Sequence, residues 1–169
     1  YGEFINNVVA SKKIAFDLNK ETRNFLNDDV IFHEKSVMEL DKIYNEEIDV
    51  IFTSNFLEHL ENKESLDQLL GKIYKTLKFG GRYIILGPNL KYLNGSYWDF
   101  YDHHLGLTHI SLQEALRLQG FKIDLCYSKF LPFTMQGSLP THPILVKIFL
   151  RVKLAWKLLG KQFFIIASK

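Results

Sequence analysis

Short apolar runs alternate with segments of helical periodicity along the chain, and this alternation constrains the fold most strongly. The apolar runs predict six strands, at 14–16, 30–32, 48–53, 83–86, 121–127 and 163–167. Helices are predicted between them at 3–9, 20–26, 66–77 and 112–118, with Asn19, Ser65 and Ser111 as N-caps. This order favours an α/β domain with a mainly parallel sheet and helices on both of its faces.

Length and composition indicate one ordinary globular domain spanning residues 1–169. A formal net charge of +2 argues against a nucleic-acid partner, because such proteins carry strong basic patches. The only cysteine, Cys126, excludes an intrachain disulfide and a cysteine-rich zinc site. This usage suits a reducing compartment, so we expect a cytoplasmic protein.

Polar residues follow several of the predicted strands, where open α/β sheets bind their ligands. Asp17 comes directly after the first predicted strand, and a carboxylate at such a position accepts hydrogen bonds from a ribose diol. If Gly2 ends a glycine turn, Asp17 has the spacing of that ribose-binding acid. A simple turn aspartate in Asp17-Leu18-Asn19 is the alternative, and these residues alone do not decide between the two.

Three segments together resemble class I S-adenosylmethionine-dependent methyltransferases in order and spacing. They are Phe16–Asn19, Ile48–Leu60 and Leu77–Leu86, and Gly120-Phe121 before a strand also fits. The resemblance runs from Tyr1 to about Tyr127 and is closest to the small-molecule branch that includes the ubiquinone-biosynthesis O-methyltransferases. It implies a Rossmann-like sheet, S-adenosylmethionine as the cofactor, and methyl transfer to an oxygen or nitrogen of a small molecule.

The tail from 130 to 163 resembles bacterial methyltransferases of the same branch that are found with surface-polysaccharide genes. It implies a sugar or a lipid-linked glycan as the acceptor.

The resemblance also implies roles for individual residues. Gly2 corresponds to the last glycine of the cofactor loop, Asp17 to the ribose-binding acid and Leu18 to an adenine contact. Ser36 and Val37 lie where the family contacts the adenine edge, although the family's usual acid is a serine here. The methionine and sulfonium side is lined by residues that follow the third strand: Ser54, Asn55, Phe56 and His59.

The family's first strand and the earlier glycines of its loop have no counterpart in the chain, which opens Tyr1-Gly2-Glu3 without an initiator methionine. In the family that strand is central, and its loss leaves two neighbours without hydrogen-bond partners. The expectation is therefore a longer natural protein, with the chain as written a poor cofactor binder.

The stretch from Tyr92 to His109 is rich in aromatic residues and histidines and is the expected acceptor pocket. We expect His103 or His104 to act as the base that an oxygen acceptor needs; the alternative is that both only hold a lid loop. Asn55, Glu58 and His59 have helical spacing and lie where some relatives hold a metal. Because asparagine is a weaker ligand than an acid, we predict no metal site.

An insertion at 130–161 precedes the last strand and contains a predicted amphipathic helix at 143–159. The lysine and arginine side chains of this helix lie among apolar residues. Two interpretations stay open: a helix packed on the sheet or in a homodimer, and a basic helix lying on the inner face of a membrane.

Two other functions compete with the methyltransferase. An enzyme with a nicotinamide cofactor is compatible with Asp17 but fits the Glu58-His59 and Gly80-Gly81 contexts less well. A non-catalytic relative that uses the fold to bind a partner is favoured by Ser36 and the absent start. Fold alone decides none of these.

Overall fold

A computed structural model describes residues 2–133 and 143–169. The chain divides into two compact units, 1–44 and 45–169, and each is described by itself. That residues 1–169 form a single domain stays a prediction. The insertion at 130–161 is described except for residues 134–142, which lie outside the described residues.

The first unit is built around two parallel strands, β1 (Lys13–Asp17) and β2 (Val30–Glu34). The register places Asp17 opposite Glu34, so both carboxylates lie at the carboxyl ends of their strands. The helical elements are α1 (Glu3–Asn7), α2 (Leu40–Ile43) and two 3-10 helices, Lys20–Phe25 and Val37–Glu39.

The helix predicted at 20–26 is present as a 3-10 helix, capped as expected by Asn19, whose side chain accepts from the Glu21 N–H. The Asp17 carboxylate accepts from the Asn19 N–H at 2.8 Å and from Thr22 Oγ1 at 2.9 Å. These bonds tie the helix to the end of β1, and short helices of this kind commonly take the tighter 3-10 form.

The second unit contains a four-stranded sheet in the order β3-β4-β6-β5. Strands β3, β4 and β5 run in one direction, and β6 is antiparallel to both of its neighbours. The predicted Rossmann-like α/β fold class is confirmed. The bounds are β3 (Ile48–Ser54), α3 (Lys63–Thr76), β4 (Leu77–Pro88), α4 (Leu90–Leu93), α5 (His109–Leu118), β5 (Lys122–Tyr127), α6 (Pro143–Arg151), α7 (Lys153–Leu159) and β6 (Gln162–Ser168), with 3-10 helices at Leu57–His59 and Asn94–Asp99.

Helix α3 buries the apolar face that its periodicity predicts. Its side chains at 66, 69, 70 and 73 are at most 2% exposed, as is Leu77 just beyond it, and each such burial contributes about 1.5–3 kcal/mol. The helix ends at Thr76 and β4 begins directly at Leu77; near its start the strand turns at Gly80, which has a φ of 76°. A Cβ on Gly81 would lie 2.9 Å from the Lys78 carbonyl oxygen, so both glycines are required by this turn.

The predicted caps of the two longest helices of the sheet unit, α3 and α5, are wrong. Helix α3 begins at Lys63 and is capped by Asn62, whose Oδ1 accepts from the Ser65 N–H at 2.9 Å. Helix α5 is capped by Thr108, and Ser111 is its third residue, closing a capping box with Thr108. Both predictions fell three residues late because the apolar period locates a helix face without marking the polar first turn.

The helix predicted at 143–159 is two helices, α6 and α7, interrupted at Val152. The Trp156 Nε1–H donates to the Phe149 carbonyl oxygen at 2.8 Å. In a continuous helix that oxygen would accept from the Lys153 N–H, so the indole replaces a helical hydrogen bond and the helix breaks. Among the described residues, no helix is long and apolar enough to cross a membrane.

Candidate active site

A cavity of about 170 Å³ lies in the second unit, beside the turn that follows β3. Ligand pockets commonly occupy about 300–1,000 Å³, so this cavity has room for part of a ligand. Its position beyond the carboxyl end of a parallel strand is where open α/β sheets bind their ligands. The lining residues are Asn55, Glu58, His59, Phe100, Asp102, His103 and Phe133.

Asn55 takes the chain out of β3 in an unusual backbone conformation. Its φ is 46°, in the left-handed region that asparagine tolerates better than most residues. The Asn55 N–H donates to the Leu86 carbonyl oxygen of β4 at 3.0 Å, which holds the turn against the sheet. Non-glycine residues in this region concentrate at functional sites, and Asn55 lines the cavity.

Glu58 is a buried acid, only 2% exposed. Burial, which penalises the charged carboxylate, raises the pKa of Glu58 to about 7. The backbone at this residue joins two segments, because the Glu58 carbonyl oxygen accepts from the N–H groups of His104 at 2.9 Å and Leu105 at 3.0 Å. The acid is therefore held at the cavity and titrates near neutral pH.

His103 is held in one tautomer. Its Nδ1 lies 2.8 Å from the Tyr97 carbonyl oxygen, which can only accept, so Nδ1 carries the hydrogen and Nε2 keeps its lone pair. The ring is 8% exposed and stacks on Phe100 at 4.9 Å between centroids. Burial lowers the pKa of His103, which keeps the ring neutral. An unprotonated imidazole nitrogen at a cavity is the form that a general base requires.

His59 is oriented by Asp102. The His59 Nδ1 lies 2.9 Å from the Asp102 carbonyl oxygen and 3.3 Å from its carboxylate Oδ2, and both atoms are acceptors. The opposite ring nitrogen, Nε2, lies 4.0 Å from Glu58 Oε1, and the ring meets His103 edge-on at 5.3 Å. Two histidines and one buried acid therefore face one another.

Glu58, His59 and His103 each offer one donor atom, and these atoms all lie within 4.8 Å of one another. Two histidines and a carboxylate are a donor set that transition metals accept. The same three groups, without a metal, also provide two proton acceptors and an acid. The absence of a metal site stays a prediction.

The structure separates the two histidines that were expected as the base. His103 lines the cavity, whereas His104 is exposed and does not. His109, at the end of the same aromatic stretch, is tied by its Nδ1 to the buried Asn89 at 2.9 Å and stacks on Tyr92. It therefore holds the segment after β4 in place.

Of the four residues expected around the sulfonium, only some line the cavity. Asn55 and His59 line the cavity, whereas Ser54 and Phe56, beside Asn55 in the chain, do not. The helical face expected for Asn55, Glu58 and His59 is not formed, because only a 3-10 turn at Leu57–His59 follows β3.

In the first unit, the surroundings of Gly2 and Asp17 are well defined, and their cofactor roles stay predictions. Gly2 has a φ of 78°, and a Cβ there would lie 2.8 Å from the Phe25 carbonyl oxygen. The carboxylate of Asp17 is half-buried and has acceptor positions beyond its two bonds to Asn19 and Thr22, because an ionised carboxylate offers about four. The bond from the Asn19 N–H forms the turn in Asp17-Leu18-Asn19 that was the alternative interpretation, and the free acceptor positions leave the ribose role open as a prediction.

The other predicted residues of this unit have simpler environments. Leu18 is 75% exposed, so its side chain presents an open apolar surface. Ser36 caps a 3-10 helix by accepting from the Met38 N–H, and Val37 is its half-buried first residue.

Three lining residues were missed as site residues by the sequence reasoning, namely Phe100, Asp102 and Phe133, and the burial of Glu58 was not foreseen. Phe100 lay within the expected acceptor stretch, so composition pointed to it. Asp102 is indistinguishable in sequence from a solvated loop acid. The signal for Glu58 was its position among apolar neighbours in Phe56-Leu57-Glu58-His59-Leu60.

Comparisons with known proteins bear on the fold and the family of the chain. Residues 4–85 match the family model described as a methyltransferase domain. The chain is similar to a SAM-dependent methyltransferase from Archaeoglobus fulgidus, with 20% identity, a TM-score of 0.64 and coverage of 92% of this chain and 75% of that one. A S-adenosylmethionine-dependent methyltransferase from Mesorhizobium loti gives 16% identity, a TM-score of 0.62 and coverage of 95% and 81%.

A third similar structure is the complex of the Haloferax volcanii Trm112 methyltransferase activator with a methyltransferase. The identity is 13% and the TM-score is 0.67, and the match covers 93% of this chain and 71% of that one. No curated protein matches the sequence. The family match and these neighbours support S-adenosylmethionine as the cofactor. Residues 4–85 thus match a methyltransferase domain, and the chain has the α/β fold of S-adenosylmethionine-dependent methyltransferases.

Proposed function

We propose that the chain is a S-adenosylmethionine-dependent methyltransferase that moves a methyl group to an oxygen or nitrogen of a small molecule, with a sugar or a lipid-linked glycan as the acceptor class. The observation that carries the proposal is the His103 ring, held by its Nδ1 against the Tyr97 carbonyl oxygen at a cavity beyond the end of β3. A proton acceptor in a pocket walled by aromatic rings suits an acceptor that must lose a proton.

The cofactor supplies an electrophilic methyl group on a sulfonium. The residues of the chain position the acceptor, and positioning alone contributes a large part of such catalysis. Phe100 and Phe133, whose rings meet edge-on at 5.5 Å, provide an apolar wall. Asn55 and Asp102 add polar groups that fix the orientation of a hydroxylated ligand.

The proton of the acceptor goes to His103 Nε2. The Tyr97 carbonyl oxygen keeps the Nδ1–H in place, so the ring accepts the proton without changing tautomer. The imidazolium that forms lies beside Glu58, whose ionised form stabilises it. His104 is exposed and is therefore the weaker of the two candidates for the base.

The cofactor-binding residues remain those expected from the family. In the first unit they are Gly2, Asp17, Leu18, Ser36 and Val37; in the second they are Ser54, Asn55, Phe56 and His59. Asp17 is proposed to bind the ribose diol, which makes it the residue whose charge cofactor binding should need most.

Calorimetric titration of S-adenosylhomocysteine into the protein tests the cofactor site. The affinity of wild type should be low, as expected for the chain as written, and Asp17→Asn should weaken binding by about a further tenfold or more, since hydrogen bonds to a charged group contribute about 1.5–3 kcal/mol. Asparagine keeps one acceptor oxygen for the turn. Asp28→Asn, at a fully exposed carboxylate of the same unit, is the matched control and should bind as wild type does. Equal affinities of wild type and Asp17→Asn would contradict the role given to Asp17 and leave the partner-binding alternative.

Transfer of labelled methyl from S-adenosylmethionine to a panel of sugar and glycolipid acceptors tests the base. His103→Gln should lower the rate about 10²–10⁴-fold while the affinity for S-adenosylhomocysteine stays within about twofold of wild type. His104→Gln is the matched control and should stay within a few-fold of wild type. Equal losses in both variants would contradict the role given to His103.

A further inference from the structure

Helices α6 and α7 present an unusually apolar surface to solvent. Nine large apolar side chains between 144 and 159 are 42–74% exposed. Single exposed apolar residues are normal, but a contiguous run marks an interaction surface. The nine are Ile144, Leu145, Val146, Ile148, Leu150, Val152, Leu154, Leu158 and Leu159.

The same segment is strongly basic. The sequence from 143 to 161 contains no aspartate or glutamate, and it carries five cations: Lys147, Arg151, Lys153, Lys157 and Lys161. A formal charge of +5 therefore lies among the exposed apolar side chains, although the whole chain has a net charge of only +2. The partner of this surface must accept both apolar contacts and positive charge.

The bases are grouped on the helices. On α6, Lys147 and Arg151 are four residues apart and share one side, and apolar residues occupy the rest of the circumference. On α7, Lys153 and Lys157 are spaced in the same way. Long basic side chains at such positions bury their methylene stems and keep the charge in water, which is the arrangement found at a boundary between apolar and polar media.

Trp156 attaches this surface to the sheet unit. The indole is 9% exposed and packs edge-on against Tyr127 at 5.2 Å and Phe130 at 4.9 Å. Lys129 Nζ donates to the Lys157 carbonyl oxygen at 3.1 Å. One side chain of α7 is thus built into the protein, and the apolar residues around it remain outside.

We propose that α6 and α7 bind the interfacial region of a membrane containing anionic lipids. An anionic headgroup layer over hydrocarbon complements both properties of the surface. A second copy of this chain does not, because a two-fold contact would bring the two +5 segments together. Helix α6 has nine residues and is about 14 Å long, so it lies along the interface. The proposal is independent of the proposed methyl transfer, although it suits a lipid-linked acceptor at the cytoplasmic membrane face.

Sedimentation with vesicles tests the proposal on the full chain. The protein should pellet with vesicles of phosphatidylcholine containing phosphatidylglycerol and stay in solution with phosphatidylcholine alone. Removal of two charges in Lys147→Gln/Arg151→Gln should weaken binding about thirtyfold, at about fivefold per basic residue. The matched control, Lys63→Gln/Lys122→Gln, removes two exposed cations elsewhere and should bind as wild type does.

A separate variant tests the contribution of exposed apolar side chains to vesicle binding. Leu154→Gln/Leu158→Gln, at two side chains that are 66% and 74% exposed, should also lose vesicle binding, while Leu118→Gln on α5 should keep it. Circular dichroism of each variant checks folding. Absence of binding to anionic vesicles, equal loss in the control variants, or a lipid-free dimer that the Leu154/Leu158 variant dissociates would overturn the proposal. Cofactor titration is a separate measurement, so either proposal can fail without the other.

Discussion

Replacement of Glu58 by glutamine should make the protein more stable at alkaline pH. The carboxyl has a pKa of about 7 in the folded protein against 4.5 for the unfolded reference. Below pH 4.5 both states hold the proton and the acid has no effect. As the pH rises from 4.5 to 7, the folded state keeps a proton that the unfolded state has lost, so the free energy of unfolding falls.

The size of this effect follows from the two pKa values. At about 1.4 kcal/mol for each pH unit between them, the loss above pH 7 amounts to about 3 kcal/mol. Solvent screens the charge of this carboxylate little, because the Glu58 side chain is only 3% exposed. Glutamine has nearly the same shape and does not ionise. Glu58→Gln should therefore lack this fall, and relative to wild type it should gain about 3 kcal/mol between pH 4.5 and pH 8.

Urea denaturation of both proteins from pH 4.5 to 8.5 measures the difference. The comparison is needed because His103 and His109, whose pKa values are lowered by burial, act with the opposite sign: their contribution to stability rises as the pH passes through the histidine range. Glu61→Gln, at an exposed acid, is the control and should follow wild type. Parallel pH curves for wild type and Glu58→Gln would refute the buried, titrating acid.

Three further substitutions test the fold, each by urea denaturation. Asn62→Ala removes the cap of α3 and should cost about 1 kcal/mol; an equal cost for Glu61→Ala, at the exposed residue before the cap, would contradict the cap. Tyr83→Phe removes a fully buried hydroxyl that lies 2.9 Å from Thr53 Oγ1 and should cost about 1 kcal/mol, whereas Tyr101→Phe, at a 99% exposed ring, should cost nothing. Ile73→Ala opens the core under α3 and should cost about 2–5 kcal/mol, against less than about 0.5 for Leu118→Ala on the surface.

Local patterns were sufficient for the strands and for the buried face of α3, but they did not predict the short helical elements at 37–43 and 90–99. The strand positions and the buried face of α3 depend on the polarity of neighbouring side chains, and that information is contained in short windows of sequence. The turn at Gly80 and Gly81 near the start of β4 has an equally local cause, because Gly80 has a positive φ and a Cβ on Gly81 would meet the Lys78 carbonyl oxygen. The polar residues after β1 and β3 followed from the general rule that ligands bind at strand ends.

Contacts between distant segments decided the rest. His103 and His104 are equivalent in sequence, and they differ because the Tyr97 carbonyl oxygen and the Phe100 ring hold only His103 at the cavity. The helix break at Val152 arises because the Trp156 indole donates a hydrogen bond to the Phe149 carbonyl oxygen, seven residues earlier in the chain.

The sequence by itself determined the α/β class of this protein, because periodicity of apolar residues decides which faces leave water. Tertiary structure alone decided which groups form the candidate site. Burial of the carboxyl raises the pKa of Glu58 to about 7, and the main-chain oxygen of Glu58 is bonded to the N–H groups of His104 and Leu105. Desolvation depends on what covers a residue, and the covering segment is far from Glu58 in the sequence.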